Sequence, residues 1–473
     1  MPVGESWPKM NGVSFDVRGR ISRDGELAPW LAENSLGNRF GLAVAGSDEG
    51  YRSKAVALAI VAADGDGRYL DLAALTDDDE AALASWLADP GPPKAVHRGK
   101  WTMHALRNCG WTLHGVTSDT ALAAHLLRPG RLAVRGGPGL NDLLIHHMRC
   151  ALPEEIIELQ LFSSRPDDHA VRALILRACA VLDLADVLDE ELARIDSSSL
   201  MERVELPAQR VLADLETVGV AVDPVDPLDP GVAPDGRVHP TYHQTISATG
   251  ALSASGSSSG PNLRGLSAGF RAGAGYAGLL TARYDALEIR LLAHLSGDIG
   301  VLDAYAADPY PARTVFRALA YGWTADELAA ALKISRGDAK EAVAQQLSDL
   351  VRTRLAGVVD DAHELGYAAT LSGRRRYLPD LNSPDPVLRD AAQRAVCATV
   401  LQGGVADVVK AAMVNVGQAI KAAGLASRLV AQVDDQLVFE VTSGERDAVE
   451  TLVREQMACA YQLDVPLAVS VAR

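Results

Sequence analysis

Cysteine is scarce and unpatterned. The five cysteines (Cys109, Cys150, Cys179, Cys397, Cys459) are odd in number and never stand in a Cys-x-x-Cys pair. That excludes a disulfide framework and a cysteine-based structural zinc site, and fits a reducing compartment. Long apolar runs are missing too. No uninterrupted apolar stretch reaches the roughly 18 residues of a membrane span, so none is expected. The opening Met1-Pro2-Val3-Gly4-Glu5-Ser6 has no basic start leading into an apolar run, so the expectation is a cytoplasmic protein without a secretory signal. A basic excess is absent as well: 45 Lys and Arg stand against 61 Asp and Glu, a net charge of −16. That balance argues against a nucleic-acid binder until its distribution is read. Residues 1–235 hold 22 basic against 36 acidic side chains, a balance of −14, and residues 236–473 hold 23 against 25, a balance of −2. The acidity belongs to the first half, and a near-neutral second half with local arginine clusters can still hold a phosphate backbone.

The remaining composition, 48% hydrophobic and 22% charged over 473 residues, is that of a globular chain of two or three domains. Residues 1–37 are polar and read as irregular. Apolar runs at Phe40–Ala45 and Ala55–Val61, a helix over Asp77–Leu87, a strand at Ala95–His97 and a helix from Trp101 imply a mixed α/β region, followed by helical periodicity over Asn141–Thr217. Residues 223–236 carry four prolines and no apolar period, which marks a linker or surface loop. Beyond it, Leu279–Tyr284 reads as a strand running into a helix at Ala286–Leu295. Helices follow at 324–333, 336–364, 386–401 and 404–423. Leu429–Val433 and Leu437–Val441 form a hairpin with adjacent carboxylates Asp434 and Asp435 at its tip. A helix from Glu445 to Leu463 and a strand at Pro466–Val471 close the chain.

Several segments in this order carry a resemblance. They are Glu205-Leu206-Pro207, Thr249-Gly250-Ala251-Leu252-Ser253, Glu288–Ser296, Thr370–Pro379, Leu401-Gln402-Gly403 with Asp407, and Gln432–Glu440. Together they are similar to the exonuclease-plus-polymerase portion of family A DNA polymerases, enzymes of replication and repair, over roughly residues 38–473. The resemblance implies a ribonuclease-H-like 3′–5′ exonuclease-type domain over 38–200, a connector over 201–236, and a family A palm with reduced fingers over 237–473. The resemblance also implies a two-magnesium site, in which one Asp at the end of the first palm strand joins one in the palm hairpin.

The departures from that pattern are as informative. The hairpin Asp is Asp435, but the first, five positions before Glu288, is Arg283, an always-protonated guanidinium that cannot ligate Mg²⁺. Asp285 could substitute only with a rebuilt strand–helix junction. Where the family grips the nucleotide with a Lys and an aromatic, Arg313 and Arg317 stand, placed by Tyr321-Gly322. The linker takes the place of the thumb. Of the exonuclease carboxylates only Asp119 matches.

Each reading has a plainer alternative. Asp434 and Asp435 are either a metal site or solvated turn residues. Arg374, Arg375 and Arg376 either contact DNA phosphates or form a solvated basic loop. Arg394 and Gln402 resemble template and minor-groove contacts, with Thr249 heading the Thr-Gly pair, or they cap a helix broken at Gly403-Gly404. Arg313 and Arg317 could bind a triphosphate or be a surface pair. Three functions compete: an active reduced polymerase using Mg²⁺, a pseudoenzyme keeping the palm as a DNA- or protein-binding scaffold without a cofactor, and a palm redirected to a small nucleotide. The implied partner is DNA or a nucleotide, with no membrane and a protein partner left open.

Overall fold

The computed structural model describes residues 18–35, 37–130, 138–153, 168–223, 232–255, 263, 267–307, 314–315, 318, 323–346 and 349–472. The chain divides into two compact units, Met1–Leu127 with Leu132–Thr217, and Arg128–Arg131 with Val218–Arg473.

The first unit is built on a six-stranded sheet of β1 (Arg18–Ile21), β2 (Phe40–Gly46), β3 (Ala55–Val61), β4 (Asp66–Asp71), β5 (Lys94–Val96) and β6 (Val116–Asp119), in the order β1-β4-β3-β2-β5-β6. β2, β3 and β4 form an antiparallel meander, while β5 runs parallel to both β2 and β6. The apolar runs of β2 and β3 are buried because the helix Asp168–Arg194 lies against them, its Leu174, Ala178, Leu184 and Leu188 all at most 1% exposed. Thr76 caps the helix Asp77–Ala88 by accepting from the Asp79 amide. The expectation of an irregular start is corrected within residues 18–34. Arg18–Ile21 adds a strand parallel to β4, and Leu27–Asn34 is a helix that buries Leu27, Trp30 and Leu31. Those three positions keep i, i+3, i+4 spacing, a helical signal too short to stand out beside polar neighbours. The helix Leu206–Val218 closes this unit, so residues 201–217, expected in the connector, fold with it.

The second unit opens with β7 (Val220–Val222), β8 (Arg237–Val238), β9 (Thr241–His243), β10 (Ser253–Ser255) and β11 (Phe270–Arg271), short strands paired as β11-β7-β8 and β9-β10. Its main sheet joins β12 (Gly278–Tyr284), β15 (Arg428–Val433), β16 (Gln436–Val441) and β17 (Val469–Ala472), all antiparallel, in the order β15-β16-β12-β17. These are the four strands expected from the sequence. A small hairpin of β13 (Tyr367–Ala369) and β14 (Arg375–Tyr377) precedes β15. The stretch expected as one helix over 336–364 is helical over Arg336–Gln346 and Asp349–Leu365, and residues 347–348 between them lie outside the described residues.

The helix expected to break at Gly403-Gly404 does not break. It runs unbroken from Pro386 to Ala422. By length and composition it is able to cross a membrane, but 72% of its most apolar window is buried inside the protein. The two glycines serve packing instead: a Cβ on Gly403 would overlap the Thr370 side chain and sit 3.2 Å from the Thr249 carbonyl oxygen. Gly403→Ala is therefore expected to cost roughly 1–3 kcal/mol by overpacking, read as a lower urea midpoint. Gly357→Ala, with open space around it, is expected to be neutral or slightly stabilising.

Candidate functional site

The hairpin tip is set by a buried tyrosine. Tyr242 accepts from the Gln432 amide at 3.0 Å and donates to the Gln432 carbonyl at 3.2 Å, and the Gln432 side chain donates to the Asp434 carbonyl at 2.5 Å. These bonds hold Asp434 in the left-handed region at φ 54°, where short polar side chains are tolerated best. Asp434 is exposed and Asp435 half-buried. On β12, Arg283 stands opposite Gln436 on one side and Ser470 on the other. The expected ion pair between Arg283 and Asp435 is absent among the described residues. Register supplies the reason: the partner across from Arg283 is Gln436, and Asp435 lies in the turn beyond it.

The junction after β12 is fixed. Tyr284 is buried and donates to the Met457 carbonyl at 2.7 Å, and burial pushes its phenol far up. Asp285 donates its amide to Ala468 O at 2.9 Å, and Ala286 takes φ 53° to start the helix Leu287–Ser296. Arg290 clamps the turn with bonds to Asp285 O at 2.8 Å and Pro466 O at 2.6 Å. Glu288 is half-buried in the first turn of that helix.

The arginine run does three different things. Arg374 is 1% exposed and lies against Gly250, whose φ of 80° and missing Cβ let the guanidinium approach. Its Nη2 is 3.9 Å from Asp407, which also accepts from Thr370 Oγ1 at 2.5 Å and the Ser372 amide at 2.9 Å. The solvated-loop and phosphate-contact readings of Arg374 both give way to a buried polar cluster. Arg375 stacks over Tyr367 at 4.6 Å, and Arg376 donates to Thr399 at 3.4 Å, with burial pushing its guanidinium down. Arg394 is exposed, Gln402 half-buried and Thr249 buried beside Ser247. Arg313, Arg317 and Tyr321 lie outside the described residues.

In the first unit Asp119 is 1% exposed and fully engaged. It accepts from the Gly99 amide at 2.6 Å, Gln209 at 2.7 Å, Ala121 at 2.9 Å and Leu122 at 3.4 Å. Burial pushes its carboxyl up, against those four donors. It caps a helix and tethers another. Among the described residues, no three His, Cys, Asp or Glu side chains are grouped to hold a metal ion.

Sequence reasoning missed Glu440. This carboxylate is 0% exposed and accepts from Arg237 at 2.6 Å, from Arg428 at 2.8 and 2.9 Å, and from the Gly273 amide at 2.7 Å. Its neighbours Phe439 and Val441 gave the segment its strand signal, but its two arginines lie 203 and 12 residues away.

A profile of DNA polymerase family A matches residues 311–473. A solved structure described as the POL domain of Pol1 from M. smegmatis, in complex with DNA primer-template and dNTP, superposes with a TM-score of 0.85 at 41% identity, over 96% of this chain and 98% of that one. The chain belongs to DNA polymerase family A. The DNA polymerase I of Mycobacterium bovis is 39% identical over 97% of this chain and 64% of its own length, and that of Mycobacterium leprae 38% over 99% and 65%. The thermostable DNA polymerase I of Thermus thermophilus is 33% identical over 84% and 55%. This family A chain thus spans about two thirds of the length of its mycobacterial relatives. The M. bovis alignment runs over 588 positions although this chain has only 473 residues, so over a hundred of them have no counterpart here.

Proposed function

We propose that this family A chain binds primer–template DNA on its palm without performing metal-dependent nucleotidyl transfer. The observation that carries the reading is Arg283, a permanent cation at the end of β12 beside the Asp434-Asp435 hairpin. The two-metal reaction of the family needs carboxylates there, and the donors present do not fit it. Arg283 is cationic, and Asp285 sits in a junction pinned by Arg290 and Ala468. The shortness of the linker supports loss of the thumb, because residues 223–236 would span only about 21 Å even as one continuous helix. The six-stranded sheet of the first unit supports an exonuclease-type ancestry, and the engagement of Asp119 in helix capping supports its being degenerate. DNA as partner is supported by the mycobacterial neighbour, which was solved with primer-template and dNTP.

Primer extension with Mg²⁺ and with Mn²⁺ tests this directly. The unmodified protein is expected to retard a primer–template in a gel but add no nucleotide. Arg283→Asp is expected to gain divalent-ion binding by calorimetry and still extend poorly. Extension by the unmodified chain that disappears in Asp435→Ala would restore the active-polymerase reading.

A further inference from the structure

A cleft of about 700 Å³ opens in the first unit at the amino ends of its parallel strands. Arg39 stands just before β2, Pro93 just before β5, and Val116 begins β6. Gly46 and Asp119, beside which the exonuclease resemblance implies metals, lie at the other ends of β2 and β6. The last turns of the helix Asp168–Arg194 and the first of Leu206–Val218 supply the rest of the lining. That second wall is shaped by an irregularity: Met201–Glu205 is a π turn leading directly into the helix Leu206–Val218. An α-helix brings i and i+4 onto one face, whereas the wider turn brings i and i+5 together. Met201, Leu206 and Arg210, spaced five and then four apart, therefore line the cleft together. Turns of this kind are frequently kept at functional sites. Met201 and Leu206 are buried, and buried Val116 and Leu192 complete an apolar floor.

The cations of this region are unequally engaged. Arg39 is held by Asp186 at 3.1 Å and by Asp189 at 2.6 Å, and Asp189 also accepts from Ser118 at 3.1 Å. Lys94, buried behind Pro93, donates to the Asp89 and Pro92 carbonyls at 2.8 and 3.0 Å. Arg210 is half-buried, yet among the described residues its guanidinium makes no hydrogen bond and no ion pair. Burial pushes it down. A guanidinium drawn from water without a partner is unfavourable, and its donors remain available to a ligand. Asp186, Asp189 and Glu202 outnumber Arg39 and Arg210 in the lining, so the cleft does not attract a polyanion.

We propose that this cleft binds a small organic carboxylate with an apolar, ring-sized body. One planar carboxylate matches the free fork of Arg210 through two parallel bonds. The body of the ligand covers Met201, Leu206, Val116 and Leu192, which otherwise face water across the opening. A volume of about 700 Å³ lies within the range of small-molecule sites, which combine apolar walls with a few convergent polar groups. A single free cation among three acids accepts one negative charge and turns away a phosphate backbone, so the ligand is neither template nor incoming nucleotide.

Calorimetry on the full chain with three probes tests this: 2-naphthylacetate, the neutral alcohol 2-(2-naphthyl)ethanol, and acetate. The parent is expected to bind naphthylacetate saturably, and the alcohol and acetate each roughly tenfold more weakly or worse. Arg210→Met keeps an apolar stem and is expected to lose roughly tenfold for naphthylacetate while no longer telling acid from alcohol. Arg203→Met, at an exposed position outside the lining, changes the net charge equally and is expected to match the parent. Thr117→Trp fills the cleft from an exposed position and is expected to abolish binding with Arg210 intact. Urea midpoints near the parent's show that the variants fold. The proposal is overturned if naphthylacetate fails to saturate the parent below about 10 mM. It is overturned equally if Arg210→Met or Thr117→Trp binds as the parent does, or if acetate or the alcohol matches naphthylacetate in the parent. None of these results bears on Arg283 and primer extension.

Discussion

Glu440→Ala is expected to destabilise the second unit by about 3–5 kcal/mol, the usual result of removing one member of a buried ion cluster. The carboxylate is 0% exposed and receives four bonds, from Arg237, twice from Arg428, and from the Gly273 amide. Truncation leaves the Arg237 guanidinium, 12% exposed, as an uncompensated buried charge, whereas Arg428, at 37%, turns partly to water. Arg237→Met is therefore expected to cost more than Arg428→Met. Glu440→Gln keeps the shape and loses the charge, so its cost falls between that of Arg428→Met and that of Glu440→Ala. Urea unfolding checks the series through shifted midpoints at constant slope. If Glu440→Ala unfolds within about 1 kcal/mol of the parent, the cluster is not holding this sheet together. The consequence reaches the hairpin, because Glu440 lies on β16, the strand that leads away from Asp435, opposite Leu279 of β12.

That cluster also marks the limit of what could be read in advance. The four strands of the main sheet were legible because β-branched and aromatic residues fill short runs between turn signals, and Asp434-Asp435 stood between two of them. The family was legible from short collinear segments. What local pattern cannot show is which long-range partner satisfies a polar group. Arg374 sits in a basic triplet, and only the approach of Gly250 and Asp407 explains its burial. Arg283 and Asp435 looked like a complementary pair, and a register offset of one residue keeps them apart. Gly403-Gly404 carried a helix-ending signature, but the same missing Cβ that loosens a helix also admits Thr370.

The acid limb of the first unit's stability is expected to separate into two opposing contributions. His97 is held neutral in the fold down to about 3, by burial first and then by Arg98 and Arg177. An unfolded chain takes up that proton near pH 6.5, so the unfolded state binds more protons between about pH 6.5 and 3, and stability falls as pH falls through that window. Asp183 works the other way. Burial, with Asp186 adding to it, pushes its carboxyl up to about 6, so between about pH 6 and 4 the fold binds the extra proton and gains stability as pH falls. Asp119, also raised by burial, adds to that gain. One full proton in this bookkeeping changes stability by about 1.4 kcal/mol per pH unit. The parent is therefore expected to show a shallow profile from pH 6 to 4, where His97 and Asp183 nearly cancel. His97→Asn, which keeps an acceptor toward Thr120, is expected to become more stable relative to the parent with each unit of acidification, by up to about 1.4 kcal/mol. Asp183→Asn is expected to lose stability relative to the parent over the same window, at a similar slope. Below about pH 4 Glu216 joins the loss. The Lys100 and His104 groups beside it overcome its burial and hold its carboxyl below the usual range, so the stability they lend it disappears as it protonates. Chemical denaturation of the three proteins at half-unit pH intervals reads these slopes. Parallel profiles for parent and His97→Asn would show that the ring titrates normally, and that Arg98 and Arg177 do not crowd it.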